Sequence, residues 1–225
     1  MISSSSDDKE LILMDTYTYN NVKVSLLGHA STMIVSDKKT IYIDPYIIPD
    51  NSPRADIILV THEHFDHCAP DKITQLSNTD TQIVAPKGCA QTIKNKMTEI
   101  SVGKTIDIDN IRVTAVEAYN IKKQFHPKGM GMGYIIEIDS VKIYHAGDTD
   151  RIPEMKELKD IDIAFLPVGG TYTMDIVEAS DAVTDIMPKV VVPMHYGAIE
   201  GTEADIDEFK RLVEKKASGV KVRVL

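Results

Sequence analysis

Apolar, β-branched and aromatic residues dominate three early runs of the chain, VKVSLL (22–27), STMIVS (31–36) and TIYIDP (40–45). Short turns separate them, so the pattern predicts a meander of neighbouring strands. ADIILV (55–60) differs: it is almost continuously apolar, as a strand covered on both faces reads. A short helix is predicted from Pro70 to Leu76, with proline in its first turn. A strand, TQIVAP (81–86), and a helix, GCAQTIKNK (88–96), follow. The middle of the chain is strand-rich, with IRVTAVEAYN (111–120) and the hairpin-like YIIEIDSVKIYHAGD (134–148) turning at IDSV.

The last third alternates between the two periods. PEMKEL (153–158) reads as helix, DIAFLPVGG (162–170) as strand and MDIVEASDAVTDIM (174–187) as helix. VVVPMH (190–195) reads as strand, EADIDEFKRLVEKK (203–216) as an amphipathic helix and VKVRVL (220–225) as a closing strand. No linker rich in Pro, Gly or Ser divides the chain, and no sequence repeat recurs. The expectation is one domain over 1–225, of α+β class, with two β-rich blocks and helices covering their outer faces. The polar start, MISSSSDDKE, is expected to be flexible over residues 1–8.

The net charge of -9, without any lysine or arginine block, disfavours nucleic acid and anionic membranes as partners. The longest apolar runs fall far short of a membrane span. The two cysteines, Cys68 and Cys89, form no C-x-x-C pair, so neither a disulfide framework nor a thiolate zinc site is indicated. With no apolar leader segment, a cytoplasmic location is expected. Homo-oligomer formation stays open.

Chemistry concentrates at THEHFDHC (61–68), directly after the apolar run. At a strand end, residues i and i+2 point the same way. His62 and His64 can therefore address one ion, and Asp66 with His67 a second point beyond the turn. Imidazole and carboxylate together suit zinc, manganese or iron. A solitary surface histidine is ordinarily just solvated; four metal-competent side chains packed into His62–His67 are not explained that way. Asp148 and His195 stand at two further predicted strand ends, where rigid elements hold ligands best. Gly147 lets the backbone approach closely beside Asp148, and a carboxylate can bridge two ions.

The order T-H-x-H-x-D-H, then G-D after a strand, then a late strand-end histidine resembles the metallo-β-lactamase superfamily over Val22 to Leu225. LGHAS (27–31), IDP (43–45), YHAGDTD (144–150), LPVGGTYTM (166–174) and PMHYG (193–197) narrow the resemblance. They are similar to the branch of small single-domain hydrolases related to ascorbate-6-phosphate lactonase. The resemblance implies a four-layer αβ/βα sandwich of two facing mixed sheets, with the site in the groove at one edge. It implies two divalent ions, zinc first and manganese second. His62 and His64 would hold one, Asp66, His67 and His195 the other, with Asp148 between them.

One position departs from the family pattern. Where relatives supply a further histidine to the first ion, this chain has Asn120, with His126 six residues on in QFHPKG. Asparagine is a neutral oxygen ligand and binds zinc poorly beside imidazole, so both Asn120 and His126 are candidates for that place. The reaction implied is hydrolysis of a small ester, lactone or phosphodiester by metal-activated water. Asp66 would orient that water or act as its base. His29 is expected at the groove and His145 behind the ligands, both assigned to the catalytic machinery, and Thr171 and Tyr172 at the pocket wall. Two alternatives stand beside this one. A nuclease of the same superfamily would need a basic face. A binding protein of the same fold, with its metal site impaired at Asn120, would need no chemistry.

Overall fold

The computed structural model describes residues 15–37 and 39–225; the expectation for residues 1–8 lies outside them. Among the described residues, fourteen strands form two sheets of seven. The first contains β1 (Thr16–Tyr19), β2 (Val22–Gly28), β3 (Ser31–Val35), β4 (Thr40–Ile43), β5 (Ile57–Leu59), β6 (Gln82–Ala85) and β7 (Met97–Glu99). The second contains β8 (Thr105–Ile108), β9 (Ile111–Ala118), β10 (Gly131–Ile138), β11 (Val141–His145), β12 (Ile163–Pro167), β13 (Val190–Met194) and β14 (Lys221–Val222). In each sheet spatial order follows chain order. In each, the first four strands pair antiparallel and the last three join in parallel. The chain thus repeats one topology although no stretch of sequence recurs, because topology needs only the order of apolar runs and turns.

Period-two patterning decides which way the first sheet faces. Ile41, Ile43, Ile57, Leu59 and Val84 turn into the core shared with the second sheet. Their neighbours Tyr42, Ile58, Ile83 and Ala85 pack in a separate outer cluster with Ile73 and Leu76 of helix α1 (Pro70–Leu76). Helices α2 (Ile176–Ile186) and α3 (Ile206–Lys216) are each capped by an aspartate, Asp175 and Asp205, whose carboxylates accept from the amides of Glu178 and Glu208. They bury Ala179, Ala182, Val183, Phe209 and Val213 against the main core. The architecture is α+β, two mixed sheets with helices outside.

Some expected elements are shorter. GCAQTIKNK holds only a 3-10 turn, Lys87–Gln91, because just Cys89 and Ile93 face inward and one turn presents both. PEMKEL is likewise a 3-10 turn, Pro153–Glu157, and VKVRVL pairs only over Lys221–Val222. The turn at IDSV places Asp139 and Ser140 at φ 48° and 63°, a left-handed pair that closes the β10–β11 hairpin without glycine. No helix among the described residues is long and apolar enough to cross a membrane.

At one end of the sandwich four hydrogen bonds join the two sheets. The Tyr134 hydroxyl donates to the Val60 carbonyl (2.7 Å), and the Met132 amide to the Thr61 carbonyl (3.1 Å). The His145 ring donates to the Ala30 carbonyl (3.1 Å), and the His195 amide to the His29 carbonyl (2.8 Å). This end carries the cluster of histidines and aspartates.

Candidate metal centre

The loop after β5 is organised by Asp44, which follows β4 and is fully buried at φ 48°. Its carboxylate accepts the Thr61 amide (2.7 Å), the Thr61 hydroxyl (2.7 Å) and Nδ1–H of His67 (2.7 Å). The Thr61 hydroxyl gives its proton to Asp44, so toward His62 Nδ1, 3.0 Å away, it can only accept. Both histidines are thereby held with Nδ1 protonated and the bare Nε2 facing inward, the usual device for orienting metal-binding imidazoles.

Two groups of donor atoms result, with Asp148 between them. His62 Nε2 lies 3.0 Å from His64 Nδ1, and His126 Nε2 lies 3.2 Å from the same atom. The Oδ2 of Asp148 lies 3.2 Å from His126 Nε2, 3.4 Å from His67 Nε2 and 2.9 Å from His195 Nε2. Asp66, His67 and His195 converge on the far side together with His29, all four buried. His29 donates from Nε2 to Asp66 Oδ2 at 2.9 Å. Asp66 Oδ2 is in turn 3.6 Å from His67 Nε2 and 4.0 Å from His195 Nε2. His29 and His195 both adopt left-handed backbone, φ 54° and 58°, a conformation that concentrates at functional sites.

Electrostatics follow from burial and these neighbours. Burial pushes His62 well below the ordinary imidazole range and His126 down to about 4, so both are neutral at pH 7. Burial would also lower His67, but Asp148 and Asp44 outweigh it and raise that ring, so its inner Nε2 attracts a proton or, in its place, a cation. Asp148 is held well below the usual carboxylate range: burial opposes ionisation, and His195 and His67 overcome it. Asp66 falls to about 2, because the His29 hydrogen bond and the His67 charge outweigh its burial.

The residues fit divalent cations. His62 Nε2 and His126 Nε2 are bare lone pairs, and one proton on His64 can satisfy only one of them. His67 Nε2, His195 Nε2 and Asp148 Oδ1 are buried without a hydrogen-bond partner, and the 2.9 Å contact of His195 with Asp148 lacks hydrogen-bonding angles. Buried polar atoms are seldom left so. Imidazole nitrogens with carboxylate oxygens form a donor set suited to zinc or manganese.

The expected site residues divide accordingly. His29, His62, His64, Asp66, His67, Asp148 and His195 are brought together. His126 joins them and Asn120 does not. Asn120 Oδ1 accepts from both the amide (2.9 Å) and Nδ1 (3.1 Å) of His126, and its Nδ2 donates to Asp150 (3.1 Å) and the Tyr172 carbonyl (3.0 Å). With every polar group engaged, Asn120 orients His126 rather than offering a ligand. His145 also stays out of the cluster: its ring donates to Ala30 and accepts from the Gly147 amide (3.3 Å), which pins the backbone beside Asp148. Tyr172 lines the cleft above the cluster, whereas Thr171 donates to the Gly201 carbonyl and braces the neighbouring loop.

That cleft, about 240 Å³, has His64, Asp66, His126, Asp148 and His195 in its floor and Phe65, Phe125, Tyr172 and Ile199 around its rim. Asp44 and Thr61 lay inside motifs quoted from the sequence without being given a role, and Phe65, Phe125 and Ile199 were given none either. Asp44 had a signal, an aspartate directly after a strand in IDP, and Phe65 sits inside the histidine motif itself. Phe125 and Ile199 lie in irregular loops, where no periodicity marks them.

Comparison with known proteins agrees with this geometry. The family model described as "Beta-lactamase superfamily domain" matches residues 23–195. A UPF0173 metal-dependent hydrolase of Thermococcus onnurineus is 38% identical over 212 residues, 87% of this chain and 94% of the relative. A structure from Parabacteroides distasonis superposes with a TM-score of 0.83 at 37% identity, covering 94% of this chain and 97% of the other. Igni18, a metallo hydrolase of Ignicoccus hospitalis, gives a TM-score of 0.76 at 31% identity, with coverage of 91% and 94%.

Proposed function

This chain belongs to the β-lactamase superfamily, and on that premise we propose that it is a metal-dependent hydrolase of a small ester or lactone with a two-ion centre. The carrying observation is the single carboxylate, Asp148, whose Oδ2 lies within 3.4 Å of histidines from both donor groups. His62, His64 and His126 would hold one ion, and Asp66, His67 and His195 the other, with Asp148 shared. Bound there, zinc or manganese supplies a water of near-neutral pKa and polarises the scissile oxygen.

The chain's own groups do the rest. Asp44 fixes His67 directly and His62 through Thr61. Asn120 fixes His126. Asp66 borders the cleft floor, ionised near neutral pH, with His29 holding one of its oxygens in place. It is the group positioned to orient a water or receive its proton. Phe65 and Phe125 stand at the rim above this floor. The binding-protein alternative rested on Asn120 and loses its ground once His126 stands beside His62 and His64. No observation favours a nuclease over a small-molecule enzyme.

The test is elemental analysis of protein purified without chelators, alongside Asp148→Ala. Two ions per chain in the parent and loss of both ions and turnover in the variant are expected. One ion or fewer in the parent after dialysis against zinc and manganese would overturn the two-ion centre.

A further inference from the structure

Six large apolar side chains are exposed among the described residues, and two of them, Phe65 (68% exposed) and Phe125 (46%), line the same cleft. Each belongs to an edge-to-face pair on its own wall. Phe65 meets Tyr46 with ring centroids 5.8 Å apart, and Phe125 meets Tyr172 at 4.8 Å. One pair comes from the loops after β4 and β5, the other from the loops after β9 and β12. Exposed phenyl rings gathered over a polar floor are hydrophobic surface left for a ligand to cover.

The charges around the rim point the same way. Among the described residues no lysine or arginine lines the cleft. Lys123, on the loop that carries Phe125, is engaged by Asp150 at 2.6 Å and Glu178 at 3.8 Å. Lys128 is engaged by Glu154 at 2.9 Å and Glu117 at 3.3 Å. Phe65 also borders a second hollow of about 400 Å³, where Lys72 is outnumbered by Glu63 and Asp71. A phosphate or carboxylate placed against these rings would lose water, and no lysine or arginine of the cleft lining would compensate it.

We infer that the group flanking the scissile bond in the substrate is uncharged and apolar, a short alkyl or aryl substituent of an ester or lactone, and that Phe65 and Phe125 select it. This rests on the hydrolase reading above and narrows it: phosphorylated and carboxylated small molecules are excluded as preferred substrates. The cleft volume of about 240 Å³ suits a substituent of a few carbons and not a polymer.

The experiment uses the full chain loaded with zinc or manganese. Turnover is measured on p-nitrophenyl acetate, butyrate and hexanoate, and on the mono-p-nitrophenyl ester of adipic acid, which matches hexanoate in length and ends in a carboxylate too distant to attack its own ester readily. The expected kcat/KM climbs along the neutral series, by up to about fourfold per buried methylene, and the adipate ester falls at least about tenfold below hexanoate, the discrimination expected for an unpaired buried charge. In Phe65→Ala/Phe125→Ala the climb flattens. An adipate ester that matches hexanoate, or a flat series that the double variant does not alter, overturns the inference.

Binding separates its failure from failure of the hydrolase reading. If no ester is turned over, calorimetric titration with hexananilide, a neutral amide, still decides. Saturable binding that weakens about tenfold or more in the double variant, as loss of two ring contacts requires, supports the apolar rim. Binding that is absent, or unaffected by the variant, sinks it.

Discussion

Asp44 and Asp148 hold the same place in two sheets of the same topology. Each follows the fourth strand of its sheet, where antiparallel pairing gives way to parallel. Both are buried, yet their surroundings assign them different work. Asp44 is surrounded by donors fixed to the chain: a backbone amide, a hydroxyl and the outer nitrogen of a histidine. Asp148 has one oxygen facing the inner nitrogens of three histidines and the other without a partner. A buried carboxylate becomes a ligand or a brace according to whether its neighbours have protons to give, and strand position alone does not decide which.

Breaking each side of this comparison separates the two roles. The largest effect is expected for Asp148→Ala: loss of bound metal and a fall in turnover of roughly three orders of magnitude or more, read by elemental analysis and kcat/KM. Asp44→Ala is expected to act on the fold as well as the metal. It strands three buried donors, each costing about 1–3 kcal/mol, and weakens metal by roughly 10–100-fold. Thermal unfolding of the metal-free protein checks it; a melting temperature unchanged from the parent would remove the brace role. Asn120→Ala should be milder and one-sided, loosening the ion at His62, His64 and His126 by about tenfold while sparing the other, as metal titration would show. Tyr134→Phe should lower stability by about 1 kcal/mol and leave metal affinity unchanged, since its hydroxyl only ties β10 to Val60.

The same contrast explains what could be read from the sequence. His62, His64, Asp66 and His67 were legible because their spacing and their place after an apolar run are local facts. Most strands and both long helices were legible for the same reason, through period; β1, β7 and β8 are short and largely exposed or half-buried, and their pattern did not mark them. His126 left an ambiguity because it reaches the site through an irregular loop; the Asn120–His126 bonds that put it there are tertiary. Asp44 could not be ranked because its partners Thr61 and His67 meet it only across the parallel β4–β5 pair. Thr171 and His145 carry the right chemistry, but their side chains are claimed by backbone carbonyls. The repeated topology was invisible because nothing in it requires the residues themselves to recur.

The hydrogen bond that brings His195 to His29 has a consequence for how the protein is made. Four of the seven proposed ligands sit on the first sheet, in one loop, and emerge early from the ribosome. His126 and Asp148 follow with the second sheet, and His195 arrives only with β13, near the end of the chain. During synthesis the early loop is a histidine-rich chelator with half its coordination missing. Such a fragment ranks metals by intrinsic affinity, which places copper above zinc and manganese. Selection among ions would then fall to the second sheet, whose three ligands complete the set only when it docks.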